Sequence, residues 1–272
     1  EMVGMPVTAK VTAAYGDRSV TVDRFEGFGV TAMAVPEGVA SDARLTAVIV
    51  EEDGTVRPVP TRLVTVDGRL TAVLAHTTGG AIALIKYEAS FRDIEGHWAQ
   101  EEIVDMGSRL IVNGLPDGNF APDKEVTRAE FTAMIVRSLG LKGSGSAVSF
   151  RDVDEDDWFA PAVAAAVEYG LMQGTDEGGF QPQQTVTREQ VMIIAARVLA
   201  LLNISVEGSG DPLAAYADGE SVSVWALDGA RKAVQAGIIQ GRAADELAPG
   251  ATMTRAEAVV VIQRLLQVAG WI

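Results

Sequence analysis

The 272 residues include no cysteine and only two histidines, His76 and His97. Without sulfur there is no disulfide, no thiolate nucleophile and no thiolate-held metal, and two histidines leave little for an imidazole-based catalytic or metal site. Basic residues are outnumbered, 22 Lys plus Arg against 37 Asp plus Glu, for a net charge of -15. No basic run occurs, so the overall field opposes nucleic acid and anionic membranes, and an anionic ligand has to be held by local groups. Long apolar runs are missing too. The longest helical candidate, MIIAARVLALLNI at 192–204, is interrupted by Arg197 and falls short of the roughly 18 residues of a membrane span. The opening EMVGMPVTAKVT lacks the basic start and apolar core of a secretory leader, and a chain that begins at Glu1 reads as an excised piece.

What is present is a globular balance, 48% hydrophobic and 22% charged, divided between two kinds of periodicity. Residues 1–88 read as an all-β domain, a sheet or small sandwich. Val7, Ala9, Val11 and Ala13 alternate with Thr8, Lys10 and Thr12. Asp53-Gly54 and Asp67-Gly68 sit between alternating runs, where Asp-Gly supplies the positive φ of a tight hairpin. SVTVDRF, GFGVTAMAV and AIALIKY supply further strands, and Pro58 and Pro60 belong on an edge. This half brings together no nucleophile, base and oxyanion donor, so its expected role is spacer or interaction domain.

From Phe91 the period becomes helical and the chain repeats. Phe91-Arg-Asp93 answers Phe150-Arg-Asp152 and Tyr216-Ala-Asp218. Gly114 answers Gly174 and Gly241, and Pro122 answers Pro182 and Pro249. Trp98 and Arg128, Trp158 and Arg188, and Trp225 and Arg255 are each 30 residues apart. Such register marks a supersecondary unit whose copies stack to bury a core. The expected boundaries are 89–142, 148–203 and 214–272, joined by the Gly/Ser-rich LKGSGSAVS and NISVEGSGDPLAAY.

Each copy reads as helix, loop, helix. The first helix runs through AQEEIVDMGSRL, PAVAAAVEY or ALDGARKAVQA and closes near Gly114, Gly174 or Gly241, where glycine suits a left-handed helix end. The second opens on TRAE, TREQ or TRAE (127–130, 187–190, 254–257), and Phe131, Met134, Ile135 and Leu139 define an apolar face. Thr-x-x-Glu/Gln is a capping box, which accounts for its first and last letters. The arginine is different, because a cation at the first helical position opposes the macrodipole. Two readings stand: Arg128, Arg188 and Arg255 join free helix-start amides in an anion site, or each pairs with an acid such as Asp93. In the first reading an Arg-to-Ala change weakens binding without unfolding the chain. Trp98, Trp158 and Trp225 likewise read either as core or as faces for a sugar.

Phe-x-Asp, Trp, the Gly-x-Phe-x-Pro loop and Thr-Arg-Ala-Glu, in order in each copy, resemble three tandem S-layer homology (SLH) domains over residues 91–268. The stretch 30–87 resembles the β-domain that often precedes such repeats in bacterial surface proteins. The resemblance implies an all-α pseudo-threefold trimer with a central three-helix bundle and ligand grooves between repeats. It implies an extracellular, non-enzymatic module that anchors a secreted protein non-covalently to secondary cell wall polysaccharide, typically through a pyruvate ketal on N-acetylmannosamine. By the same resemblance Arg128, Arg188 and Arg255 hold the pyruvyl carboxylate. Asp93, Asp152 and Asp218 accept sugar hydroxyls, Trp98, Trp158 and Trp225 wall the grooves, and Gly114, Gly174 and Gly241 let backbone approach the ligand.

The copies are unequal. The first has Leu110 where the others have Gly170 and Gly237, so its helix end is expected to differ. The second has Gln190, and the third has Leu247 for the aromatic and adds Arg242. No metal, cofactor, nucleic acid or membrane insertion is expected, while lateral self-assembly fits an S-layer module. The acidic run RDVDEDDW suggests calcium, but counting from Asp152 puts Asp157 and Val163 where an EF-hand loop needs Gly and Glu. A glycosidase would need a carboxyl pair at a defined spacing, which the sequence does not mark. A repeat that binds only protein, or assembles an S-layer without touching glycan, is the alternative.

Overall fold

A computed structural model of the chain describes residues 1–40 and 44–272. Strands fill the N-terminal third: β1 Met2–Ala9, β2 Val11–Tyr15, β3 Arg18–Val22, β4 Arg24–Ala34, β5 Leu45–Val50, β6 Val56–Val59, β7 Thr61–Val66, β8 Arg69–Thr78 and β9 Gly80–Lys86. Six α-helices follow: α1 Gln100–Ser108, α2 Arg128–Ser138, α3 Ala160–Glu168, α4 Arg188–Leu201, α5 Leu227–Gln235 and α6 Arg255–Val268. The described residues form two compact units, one of Glu1–Phe120, Ile135–Lys142 and Gly270–Ile272, the other of Ala121–Met134 and Gly143–Ala269.

In the first unit β1-β9-β5-β6 make one sheet and β4-β8-β7 another. Met33, Ala72 and Leu74 from the second sheet join Leu45, Ile49, Ile82 and Leu84 from the first in one buried cluster. Both Asp-Gly turns fall between paired antiparallel strands, β5 with β6 and β7 with β8. Asp67 and Gly68 both have positive φ, 49° and 76°, as a two-residue hairpin turn requires. Pro58 lies in β6 at the end of its sheet, where its missing N–H leaves no ladder bond unmade. The alternation across residues 7–13 marks no buried face: the chain breaks between β1 and β2, and β2 is exposed throughout. His76 is a satisfied core residue, with Nδ1 on the Thr78 carbonyl and Nε2 on the Thr31 hydroxyl, each at 2.8 Å.

All six helices lie where the repeat pattern puts them. The second helix of each copy buries most of its circumference rather than one stripe: Ala129, Phe131, Ala133, Met134, Ile135 and Val136 of α2 are all buried, as is Leu139 just after it. A helix apolar on all sides is an interior helix. The first helices keep one face in solvent, and Gly229 of α5 meets α4 so closely that a Cβ there would lie 2.9 Å from the Ile193 backbone.

Two expectations about helix ends change. The left-handed residues that close α1, α3 and α5 are Leu110, Gly170 and Gly237, with φ of 60°, 70° and 70°. Leu110 therefore copies the glycine geometry instead of departing from it. Gly114, Gly174 and Gly241 are not left-handed; an added Cβ would meet the Phe91, Phe150 or Tyr216 ring at 2.9, 2.4 or 2.7 Å. An aromatic ring packs against the backbone at all three, and at Gly241 the Ala243 carbonyl oxygen comes closer still, 2.4 Å from where a Cβ would lie.

Candidate functional site

The loop between the helices of each copy is built around its aspartate. Asp152 accepts the amides of Phe180 at 2.7 Å and Gln181 at 2.8 Å, and Asp218 those of Leu247 and Ala248, both at 2.7 Å. Asp93 accepts the Phe120 amide at 2.7 Å. Ala121, Gln181 and Ala248 adopt positive φ of 57°, 58° and 52°, a conformation unfavourable by about 1–2 kcal/mol without glycine. In the second and third copies the aspartate bond to that same residue offsets the strain. Burial pushes the Asp152 and Asp218 carboxyls up, but these amides outweigh it and hold both below their ordinary value.

The start of each second helix is completed by another copy. Capping boxes join Thr127 with Glu130, Thr187 with Gln190 and Thr254 with Glu257 in both directions. The next amides in line go to a different loop. Arg128 and Ala129 donate to Gln184 and Pro182, Arg188 and Glu189 to Ala251 and Pro249, and Arg255 and Ala256 to Lys124 and Pro122. The residues just before the caps close the same circuit: Val126 donates to Met253, Met253 to Val186 and Val186 to Val126, at 2.9, 3.0 and 3.1 Å. Both sets are cyclic, in opposite senses: the helix-start amides donate from first copy to second, second to third and third to first, and the residues before the caps donate from first to third, third to second and second to first.

The motif arginines follow this circuit. Arg128 donates from Nε to the Phe180 carbonyl at 3.0 Å and from Nη2 to that of Gln173 at 3.2 Å. Arg188 makes the matching bonds to Leu247 at 2.8 Å and Gln240 at 2.7 Å. The helix-start amides are thus engaged, so the anion-site reading loses its free N–H groups while keeping its guanidinium. The pairing reading gains a partner other than Asp93: Arg188 lies 3.7 Å from Glu257 and Arg255 3.6 Å from Glu130, the capping carboxylates. Arg188 and Arg255 are only 4% and 6% exposed, so changing either to alanine is expected to disturb the fold, where the sequence reading expects weakened binding alone.

Burial pulls the Arg128 and Arg188 guanidiniums below their ordinary value, countered by Asp152 and Glu257 respectively. Burial raises Glu130 and Glu257, yet both sit below the ordinary value. The Thr127 amide, Lys124 and Arg255 hold Glu130 down, and Arg242 and the Thr254 amide hold Glu257. Arg242, the addition of the third copy, grips Glu257 with two bonds of 2.7 and 2.8 Å.

The tryptophans are not core. Trp98, Trp158 and Trp225 are 63%, 61% and 59% exposed at the same point of each copy, just before the first helix. Trp158 meets Phe159 edge-on, and Trp98 lies beside His97. In the second unit, Arg128, Asp152 and Gly174 converge on the loop of the second copy, and Arg188, Asp218 and Gly241 on that of the third. The acidic run forms a turn in which Asp157 accepts the Asp154 amide, and among the described residues no group of three or more His, Asp or Glu could hold a metal ion.

Sequence reasoning did not find Glu130 and Glu257 as arginine partners, nor Glu189, which is 9% exposed and holds the Ser223 amide at 3.0 Å. A usable signal was present for the first two, since the only motif with Gln in its last place belongs to one copy of three.

Helix-loop-helix copies whose second helices are started by bonds from one copy to another, with a solvent-facing tryptophan in each, define a class of repeat protein. Its family is defined by the same copies: residues 90–132, 149–192 and 215–259 are S-layer homology domains, and the chain belongs to that family. Among its relatives, the amylopullulanase of Thermoanaerobacterium thermosulfurigenes is 38% identical over 69% of this chain and 10% of its own length. The surface-layer 125 kDa protein of Lysinibacillus sphaericus is 32% identical over 72% of the chain and 16% of its own. The cellulosome-anchoring protein of Acetivibrio thermocellus is 29% identical over 57% and 35%. The chain therefore spans a tenth to about a third of these relatives.

Proposed function

We propose that the chain anchors a larger secreted protein to the bacterial cell wall by binding pyruvylated secondary cell wall polysaccharide in grooves between its SLH repeats. The observation that carries this reading is the set of three exposed tryptophans, about 60% open at equivalent positions. An indole face in solvent loses free energy unless something covers it, and the C–H face of a sugar ring is a natural cover. Relatives named both as enzymes and as an anchoring protein share this segment over a minor part of their length, which fits a non-catalytic attachment module.

In this reading the interior helices α2, α4 and α6 form the central three-helix bundle of a pseudo-threefold trimer. Arg128, Arg188 and Arg255 supply cationic character, and Asp93, Asp152 and Asp218 use their remaining lone pairs for hydroxyls. Gly114, Gly174 and Gly241 keep the loop backbone close to the ligand. The exposed hairpin of β2 and β3 suits contact with protein, including lateral self-assembly. The test is cosedimentation with purified wall polysaccharide before and after removal of its ketal. Binding is expected to vanish with the ketal. Absence of binding to either polymer would favour a protein-binding or assembly module instead.

A further inference from the structure

Two of the three motif arginines face a capping carboxylate, and one does not. Nη1 of Arg188 lies 3.7 Å from Oε1 of Glu257, and Nη1 of Arg255 lies 3.6 Å from Oε1 of Glu130. Each of these carboxylates is the capping residue of the copy that the arginine leans on. The same cyclic order assigns Arg128 to the capping residue of the second copy, which is Gln190. Gln190 keeps the cap, its Oε1 accepting the Thr187 amide at 3.2 Å, but it carries no charge.

Among the described residues no carboxylate stands within 4 Å of the Arg128 guanidinium. Asp152 contributes to its field, but both Asp152 oxygens are engaged by the Phe180 and Gln181 amides. The guanidinium is nevertheless fixed: two carbonyls hold Nε and Nη2, and its carbon lies 5.0 Å from the centre of the Phe180 ring. It is also half-buried, where Arg188 and Arg255 are sealed. Nη1 alone has no protein acceptor among the described residues.

Net charge does not separate the three sets. Arg242 bonds Glu257 at 2.7 Å and Lys124 bonds Glu130 at 3.3 Å, so each set is left with one surplus positive charge. What differs is its position. In two sets the surplus sits on an outer side chain, Lys124 being 51% exposed and Arg242 33%. In the third it stays on the oriented guanidinium of Arg128. A charge-assisted hydrogen bond from a fixed fork is stronger and more selective than attraction to a solvated, mobile cation.

We propose that Gln190 is the specificity-determining residue of the Arg128 site. It leaves Arg128 as the motif arginine that takes the carboxylate of an acidic sugar directly, while Arg188 and Arg255, already facing protein carboxylates, serve as scaffold. This rests on the anchoring reading and assigns its acidic subsite to one place.

The test is Gln190→Glu, which keeps the capping box, as Glu130 and Glu257 do, and gives Arg128 an internal partner. The probes are wall polysaccharide bearing the pyruvate ketal and the same polymer stripped of it. The variant is expected to bind the ketal-bearing polymer about tenfold more weakly than the parent, as loss of one charge-assisted bond implies, with an unchanged or higher Tm. A Tm no lower than the parent's separates lost recognition from lost folding. Glu130→Gln, made in parallel, is expected to add a second carboxylate-binding site in calorimetric titration with ketal-bearing fragments. Equal binding by parent and Gln190→Glu overturns the proposal and leaves anchoring intact, as does parent binding that ignores the ketal. A parent that binds neither polymer overturns the anchoring reading, and the assignment of Gln190 with it.

Discussion

Two glycines of the second copy, Gly170 and Gly174, stand four residues apart and are required for different reasons. Gly170 has φ of 70°, and a Cβ there would meet nothing within 4 Å. Alanine at this position carries only the left-handed backbone penalty, about 1–2 kcal/mol. Gly174 has an ordinary backbone, but its Cβ would lie 2.4 Å from the Phe150 ring, which itself packs on Phe180 at 5.5 Å between centroids. Gly174→Ala has to displace that ring and the loop beneath it, so it is expected to be the more destabilising change, by up to about 3 kcal/mol. Urea unfolding of the two variants decides this, and equal losses would contradict the division of roles. Leu110 already bears the left-handed penalty in the first copy, with φ of 60°. Leu110→Gly is accordingly expected to raise the midpoint of unfolding rather than lower it.

At the level of the helix, the capping threonine and the motif arginine are separable by magnitude. Thr187→Ala removes one cap bond and is expected to lose about 1 kcal/mol. Arg188→Ala strips donors from the Leu247 and Gln240 carbonyls and removes one of the two cations beside Glu257, in a place where Arg188 was 4% exposed. A loss of about 3 kcal/mol is expected, read by the same unfolding measurement, and a loss no greater than that of Thr187→Ala would refute the scaffold role. The difference also marks what sequence can disclose. Caps, the Asp-Gly turns and the edge position of Pro58 were legible because their causes lie within a few residues. The partners of Arg188 lie 52 to 69 positions away, and periodicity says nothing about which loop comes to cover a helix start. The tryptophans were ambiguous for a related reason: spacing fixes their recurrence, while exposure depends on what packs above them. Gly114, Gly174 and Gly241 were read as left-handed helix ends, where the crowding comes from a ring folded back from the start of the copy and, at Gly241, from the Ala243 carbonyl as well.

For the molecule as a whole, cyclic closure makes stability collective and acid-sensitive. Glu130, Glu257, Asp152 and Asp218 all sit below their ordinary values of 4.5 for Glu and 3.8 for Asp. Depressed carboxyls contribute stability that is complete above their unfolded values and drains away as pH falls through the folded ones. Tm is therefore expected to be flat from neutral pH down to about 5.5 and to fall below about 4.5. A Glu130→Gln/Glu257→Gln chain should show a shallower fall, and identical acid profiles would rule these two groups out. The same closure predicts the effect of removing the third copy. A chain ending at residue 203 takes away the acceptors of the Arg188 and Glu189 amides and of Val126, and the donors to Lys124, Pro122 and Val186. These groups turn to water instead, but the packing of Val259, Ile262, Leu265 and Leu266 is lost with them at about 1.5–3 kcal/mol per side chain, so the total rivals the 5–15 kcal/mol that holds an ordinary domain together. Linear repeat arrays shorten with graded loss, because each copy needs only its neighbours. A closed circuit has no end from which to shorten. The truncated chain is expected to lose helical ellipticity per residue and to melt without a cooperative helical transition. Full ellipticity and a sharp melt at residue 203 would show that the first two copies fold without the circuit.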